Sequence, residues 1–250
     1  MQIGFIGAGN MASALARGWG EPVIVFDAYR PRAEALVEEL GGEVVNSNSE
    51  LAERVDAILL AHKPIGLERV AAEVGGAAKG VISILGGVPV ASLRAAYGPD
   101  TPVVRMLPSV PVEVREGVCI HARDPAADAQ LEAQVLELFA RVGPVVSVDE
   151  SLLDAAMGLM SCAPAYVALV AEAQIDAGVR AGLPADLAAE LVVRTLGGTA
   201  ALLRARSYDT LAVRRSVTSP GGSTARGLAA LEHAGIRAAF DDAMQAVLAR

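Results

Sequence analysis

With 250 residues, 53% of them apolar and 20% charged, the chain can bury one or two packed cores, which excludes a disordered polymer. Its net charge of −8 comes without an acidic block, its basic residues are scattered, and four Phe, four Tyr and one Trp offer few stacking faces, so no nucleic-acid partner is expected. The longest uninterrupted apolar runs, such as Ala163–Ala171, fall short of a bilayer span, no leader precedes the first strand, and Cys119 with Cys162 fits neither a disulfide framework nor a zinc site; a cytoplasmic protein with no membrane contact and no metal is predicted.

The chain opens on an apolar run, Gln2–Ile6, followed by Gly7-Ala8-Gly9-Asn10-Met11-Ala12 and then by Leu15 and Trp19 at helical spacing. This is strand, glycine turn and helix: Gly7 permits the tight turn, Gly9 lets the backbone approach a pyrophosphate, and Ala12 is small enough for the helix to pack close. A second strand, Val23–Phe26, ends at Asp27, where a carboxylate would hold a ribose 2′-hydroxyl; its other role would be to cap a helix over Pro31–Leu40. Strands at Glu43–Val45, Ala57–Ala61 and Val81–Leu85 then alternate with helices at Ser49–Arg54, Leu67–Val74 and Ser92–Ala96. Further strands follow at Val103–Met106 and Gly117–His121, then a helix at Ala126–Arg141 and a last strand at Val145–Val148. Such alternation predicts a parallel sheet covered on both faces, a Rossmann-type dinucleotide-binding domain over residues 1–149. Ligands bind beyond the carboxyl ends of such strands, so Gly7–Ala12, Asp27–Arg30, Asn46–Asn48, His62-Lys63-Pro64, Gly86-Gly87 and Leu107–Val110 should line one cleft. His62 could serve as an acid or base, but no carboxylate is placed to orient it.

After Val148 the strand signal ends. Leu152–Met160, Ala163–Ala181, Pro184–Arg206, Tyr208–Ser216, Thr224–Glu232 and Ile236–Arg250 read as helices, giving an all-α domain over 150–250. Several are apolar nearly all round, and association through them is the economical way to cover them, with an internal bundle core as the other solution. Within this half, Ser219-Pro220-Gly221-Gly222-Ser223-Thr224 runs into a segment with Leu228 and Leu231 three apart, which predicts a buried helical stripe behind an anion cradle: Pro220 fixes one φ, the glycines admit a ligand to bare N–H groups, and Ser223 and Thr224 sit at the positive end of a helix.

These residues resemble the pyrroline-5-carboxylate reductase family along essentially the whole chain. Gly4–Met11 is similar to the family's opening, Lys63-Pro64 to its mid-domain Lys-Pro, Pro111 with Val114–Gly117 to its cleft strand, and Ala163-Pro164-Ala165-Tyr166 to the start of its dimerisation helix. The most specific likeness is Val217–Thr224 with Gly227-Leu228, Leu231-Glu232 and Gly235-Ile236-Arg237. The resemblance implies reduction of the cyclic imine 1-pyrroline-5-carboxylate to L-proline by NADH or NADPH, the last step of proline biosynthesis. It also implies a homodimer interlocked through the C-terminal helices, sometimes assembled further, with the active site between the two domains. Ser219, Gly221, Gly222, Ser223 and Thr224 would then bind the substrate carboxylate, and Thr224 would be the catalytic orienting group at the ring nitrogen. Gly7, Ala8, Gly9, Asn10, Met11 and Ala12 would bind the dinucleotide with Asp27, Asn48 would touch the adenosine ribose, and Ala61, His62, Lys63 and Pro64 would form the loop beneath it.

Three stretches depart from the family. Its second strand commonly ends in Asn-Arg-Ser/Thr, where Asp27-Ala28-Tyr29 stands here; an anion in place of a cation favours NADH, with Arg30 and Arg32 near enough to serve a 2′-phosphate. Ser109-Val110-Pro111 replaces Asn-Thr-Pro, and Ser161-Cys162-Ala163 replaces a Gly/Ser-rich turn. These leave open a related cyclic imine as substrate, or a dinucleotide-binding paralogue without turnover.

Overall fold

The computed structural model describes residues 1–249. Eight strands form one sheet: β1 (Ile3–Ile6), β2 (Val23–Phe26), β3 (Gly42–Val44), β4 (Ala57–Leu60), β5 (Val81–Ser83), β6 (Val103–Pro108), β7 (Cys119–Arg123) and β8 (Val145–Asp149), in the order 3-2-1-4-5-6-7-8. All pairs are parallel except β6–β7, which runs antiparallel with Leu107 opposite Ile120, so the wholly parallel sheet expected above is corrected to a mixed one. The cause is the connection: residues 109–118 contain only a 3-10 turn at Val110–Val114, and without a crossover helix the chain can only turn back.

Helices cover both faces because strands such as β4 are buried at every position and need apolar cover on each side. On one face lie α1 (Asn10–Trp19), α2 (Arg30–Leu40) and α6 (Ala129–Ala140), burying Leu15, Trp19, Leu36, Val135 and Phe139. Trp19 packs between Phe5 and Phe139, at 5.8 and 5.4 Å between ring centroids, and its indole N–H donates to the Leu138 carbonyl. On the other face lie α3 (Asn48–Arg54), α4 (Leu67–Val74) and α5 (Val90–Tyr97), with Leu51, Val70, Leu93 and Tyr97 in a second cluster.

A 3-10 turn at Glu150–Leu152 leads into α7 (Leu153–Met160). Glu150 is held there by two groups far back in the chain: its Oε1 accepts from the Val90 N–H at 2.8 Å and from Nη1 of Arg105, a guanidinium only 3% exposed on β6, at 2.7 Å. Residues Met1–Pro164 form one compact unit and the chain from Ala165 a second. Most of α8 (Ala163–Arg180) lies in that second unit, followed by α9 (Ala185–Ala205), α10 (Thr210–Ser216), α11 (Ser223–His233) and α12 (Ile236–Leu248). Among their described residues only Ala188 is buried.

The stretch Glu150–Arg180 contains an 18-residue window with a mean hydropathy of 1.5, enough to pass as a membrane span on length and composition. The uninterrupted apolar runs of the sequence fall short of that measure because Glu172 and Asp176 interrupt them. The stretch is not one helix: it breaks at Ser161–Cys162 between α7 and α8, and Asp154, Glu172 and Asp176 lie along it.

Candidate functional site

The glycine turn sits at the carboxyl end of β1. The Gly7 N–H donates to the Phe26 carbonyl at 2.8 Å, which closes the turn against β2. Gly7 has φ +106°, and a Cβ there would stand 2.8 Å from the Ala61 carbonyl oxygen, so the fold itself demands glycine. Gly9 is different. Its φ is −73°, it precedes α1 with no side-chain cap on that helix, and an added Cβ would meet nothing within 4 Å. No described residue explains a glycine there, whereas open space before an uncapped helix N-terminus fits a phosphate group. Asn10 is exposed on the first turn, Met11 is half-buried, and Ala12 packs in the core at 1% exposure, as the close approach of helix to sheet requires.

Asp27 does not cap α2, whose start at Tyr29 has no side-chain hydrogen bond. Its carboxylate instead latches two loops together: Oδ2 accepts from the Ala8 N–H and Oδ1 from the Tyr29 N–H, both at 2.7 Å. Each oxygen keeps a lone pair for a further donor. Of the two arginines beyond it, Arg30 is engaged by Glu34 and Asn46, and Arg32 lies over the Tyr29 ring, 5.4 Å from its centroid.

The loops after β3 and β4 supply a polar cluster. Asn48 heads α3 after the Ser47 cap, is 2% exposed, and donates from Nδ2 to Oε2 of Glu73 on α4, whose other oxygen takes Arg69. Ala61 donates its N–H to the Ile6 carbonyl, tying the end of β4 to β1. The ring of His62 contacts the Lys63 carbonyl through Nδ1, and burial holds its pKa below the ordinary histidine value. That bond goes to backbone and not to a carboxylate, so His62 lacks the partner that base catalysis uses. Lys63 and Pro64 are exposed, Pro64 starting a 3-10 turn. Two buried side-chain atoms of this cluster, Asn48 Oδ1 and His62 Nε2, have no hydrogen-bond partner. Buried polar atoms left unpaired are costly, and a ribose hydroxyl is the kind of group that would satisfy them.

In the second unit, the Gly222 N–H donates to the Ser219 carbonyl at 3.0 Å, Gly221 takes φ +69°, and α11 begins at Ser223 with no side-chain cap. A Cβ on Gly222 would lie 2.3 Å from Ser219 Oγ, while Gly221 faces open space. Ser223 and Thr224 thus head a helix whose first N–H groups are free of intrahelical partners, the cradle that the sequence describes. The buried stripe behind it is not found: Leu228 is half-buried, Leu231 is 52% exposed, and no residue of α11 is fully buried. Among the described residues no group of three or more His, Cys, Asp and Glu is placed to hold a metal ion.

Residues 150–250 match the model of the pyrroline-5-carboxylate reductase dimerisation domain, and residues 2–87 that of the coenzyme F420-dependent NADP oxidoreductase domain. A pyrroline-5-carboxylate reductase of Synechocystis is 38% identical over 259 residues, covering 100% of this chain and 97% of that protein. One from Methanosarcina acetivorans is 36% identical over 97% of this chain and 94% of its own length. The chain belongs to the pyrroline-5-carboxylate reductase family. Among solved structures, the Plasmodium falciparum reductase with NADP bound superposes with a TM-score of 0.89 at 29% identity, over 99% of this chain and 95% of that one.

Two of the departures from the family pattern have structural explanations. Ser109, 4% exposed, uses its hydroxyl within the fold: it accepts from the Val118 N–H at 2.9 Å and so fixes the turn between β6 and β7, leaving Val110 exposed beside it. Ser161 donates from Oγ to the Pro108 carbonyl at 3.3 Å, joining the end of α7 to the end of β6, with Cys162 half-buried next to it. Cys119 is buried on β7, and burial pushes its thiol up to about 12, so it is chemically quiet. Sequence patterning did not single out Glu73, which orients Asn48. The one available signal was an acid on the exposed side of α4 facing the start of α3, and helical periodicity alone does not report it.

Proposed function

We infer that this chain catalyses reduction of 1-pyrroline-5-carboxylate to L-proline with NADH or NADPH, the closing step of proline biosynthesis. The observation that carries the reading is the full-length likeness to reductases of this name, supported by two uncapped, glycine-led helix N-termini, at Gly9 and Gly222, each suited to receive an anion.

The first domain, residues 1–149, binds the dinucleotide. Gly7, Ala8, Gly9, Asn10, Met11 and Ala12 form the pyrophosphate turn, Asp27 accepts from a ribose hydroxyl while holding Ala8, Asn48 Oδ1 and His62 Nε2 meet the sugar, and Ala61, Lys63 and Pro64 line the loop beside it. A bound dihydronicotinamide would supply the hydride for the C=N carbon. The helical domain, residues 150–250, binds the imine: Ser219 and Ser223 hold its carboxylate by hydroxyls together with the free N–H groups at the start of α11, Gly221 and Gly222 let it approach, and the Thr224 hydroxyl accepts from the protonated ring nitrogen and fixes its direction. The pyrroline nitrogen brings its proton from solvent, so the site needs orientation and charge complementarity more than a strong acid.

Asp27 makes NADH the better cofactor, since a second negative charge at the ribose would face its carboxylate. The C-terminal helices form a homodimer whose partner covers the apolar face of Glu150–Arg180, and the enzyme works in the cytoplasm. The deciding assay follows loss of dihydronicotinamide absorbance with pyrroline-5-carboxylate, using NADH and NADPH in turn. Turnover establishes the reaction, a higher catalytic efficiency with NADPH removes the role given to Asp27, and no turnover by protein that binds dinucleotide rules out this substrate.

A further inference from the structure

The loop Ser219–Thr224 contains a peptide between two glycines, Gly221-Gly222, the least constrained kind of link in a chain. It is nevertheless held at both ends. Its N–H, on Gly222, donates to the Ser219 carbonyl at 3.0 Å. Its carbonyl oxygen, on Gly221, accepts from Nη1 of Arg226 at 2.7 Å, and Nη2 of the same guanidinium reaches Ser223 Oγ at 3.3 Å. Arg226 stands on the first turn of α11, exposed, with its charge laid back over the start of the helix. A guanidinium carries five donors in a planar fork, so two can tie the loop while the rest stay free for an anion.

We propose that Arg226 is a positioning residue for substrate: it locks the Gly221-Gly222 peptide against rotation, so that the Ser223, Thr224 and Ala225 N–H groups point outward together, and it adds a fixed cation beside the carboxylate they receive. This rests on the assignment of the loop to the substrate carboxylate. No other side chain in the chain bonds this peptide's carbonyl among the described residues. Lysine could supply the charge at this position but not both tethers.

The test is steady-state kinetics of wild type, Arg226→Ala and Arg226→Lys, varying the imine at saturating dinucleotide and the reverse. Arg226→Ala is expected to raise KM for pyrroline-5-carboxylate about tenfold, as loss of a charge-assisted contact does, with kcat within about twofold and KM for the dinucleotide unchanged. Arg226→Lys recovers part of that loss, and added salt raises KM more in wild type than in the alanine variant. An unchanged KM in Arg226→Ala, or an equal fall in kcat with both cofactor and substrate affected, overturns the assignment. Should the alanine variant fail to fold, Arg226→Lys and Arg226→Gln are compared in the same way. If wild type does not turn over pyrroline-5-carboxylate, the functional reading fails by itself; binding of L-proline to wild type and Arg226→Ala is then measured by calorimetry, and equal affinities, absent binding included, overturn the role of Arg226.

Discussion

The two halves of the chain solve the burial problem in opposite ways. The sheet domain is closed on itself: β4 is buried at every residue, and Leu15, Leu59, Ile82, Leu93 and Phe139 are all at or near zero exposure between strands and helices. In the second unit, from Ala165, Leu169, Leu187, Leu191, Val193 and Phe240 are 43–64% exposed, and Ala188 alone is buried among the described residues. Long apolar helices with so little inside leave an apolar face uncovered, in a stretch that matches a domain named for dimerisation. The first half covers its apolar residues with its own sequence, and the second leaves them open in the single chain.

That contrast can be broken most forcefully on the helical side. Leu169→Glu with Leu191→Glu puts charges on the open face, and dissociation of the assembly by at least about 100-fold, about 2.7 kcal/mol, is expected in sedimentation runs while the sheet domain keeps its circular dichroism. A double variant that sediments like wild type would show that this face is covered in some other way. Within the sheet domain the same amino-acid type behaves differently: Leu59→Ala should cost about 3 kcal/mol in denaturant melts at every protein concentration, whereas Leu191→Ala should cost stability only through assembly and so vary with concentration. The two turn glycines sharpen the comparison at the site. Gly7→Val, forced to φ +106° and against the Ala61 carbonyl, should destabilise by about 3 kcal/mol, while Gly9→Val should leave the melt unchanged and abolish dinucleotide binding in a fluorescence titration. Thr224→Ala should lower turnover by about tenfold without changing dinucleotide affinity, the loss of one orienting hydroxyl; unchanged turnover would take Thr224 out of the site.

The smallest expected effect concerns pH. His121 is buried, with Nδ1 against Ser147 Oγ at 3.0 Å and Nε2 facing Glu132 at 3.2 Å; burial lowers its pKa, Glu132 and Asp124 oppose that shift, and Arg123 adds to it. The unfolded chain therefore takes up the proton at a higher pH than the native one, and native stability falls as pH drops below about 6.5. His121→Gln should flatten the decline in melting temperature between about pH 7 and pH 5, leaving what His62 contributes in the same direction. A slope unaltered by the substitution would assign the acid sensitivity elsewhere.

Much of this was legible in the residues because the deciding signals are local. The glycine turn after a short apolar strand, the alternation that builds the sheet, and the Pro-Gly-Gly-Ser-Thr start of α11 each lie within a few positions of one another, and periodicity locates them to within a few residues. Features set by distance along the chain were not legible. The reversal of β7 depends on a ten-residue connection lacking a helix, Glu150 reaches back to Val90 and Arg105, and the Asp27 carboxylate finds the Ala8 N–H only once β1 and β2 are paired. The cluster of Asn48, Glu73 and His62 likewise draws on three separate loops and helices, and only their packing leaves two of its atoms without partners. Exposure on α11 escaped sequence patterning for another reason: an apolar stripe looks the same whether its cover comes from the same chain or from a neighbour.

The double attachment of Asp27 bears on how such an enzyme could change its coenzyme over generations. In the role proposed for it, Asp27 would discriminate at the sugar with the same carboxylate that pins the glycine turn through Ala8. Exchanging it for arginine to admit a 2′-phosphate would unfasten Ala8 in the same stroke, so selection for the other coenzyme meets a valley that a single substitution does not cross. A lineage would reach the far side only after some other acceptor had taken over the Ala8 N–H, and the order of those two changes is not interchangeable.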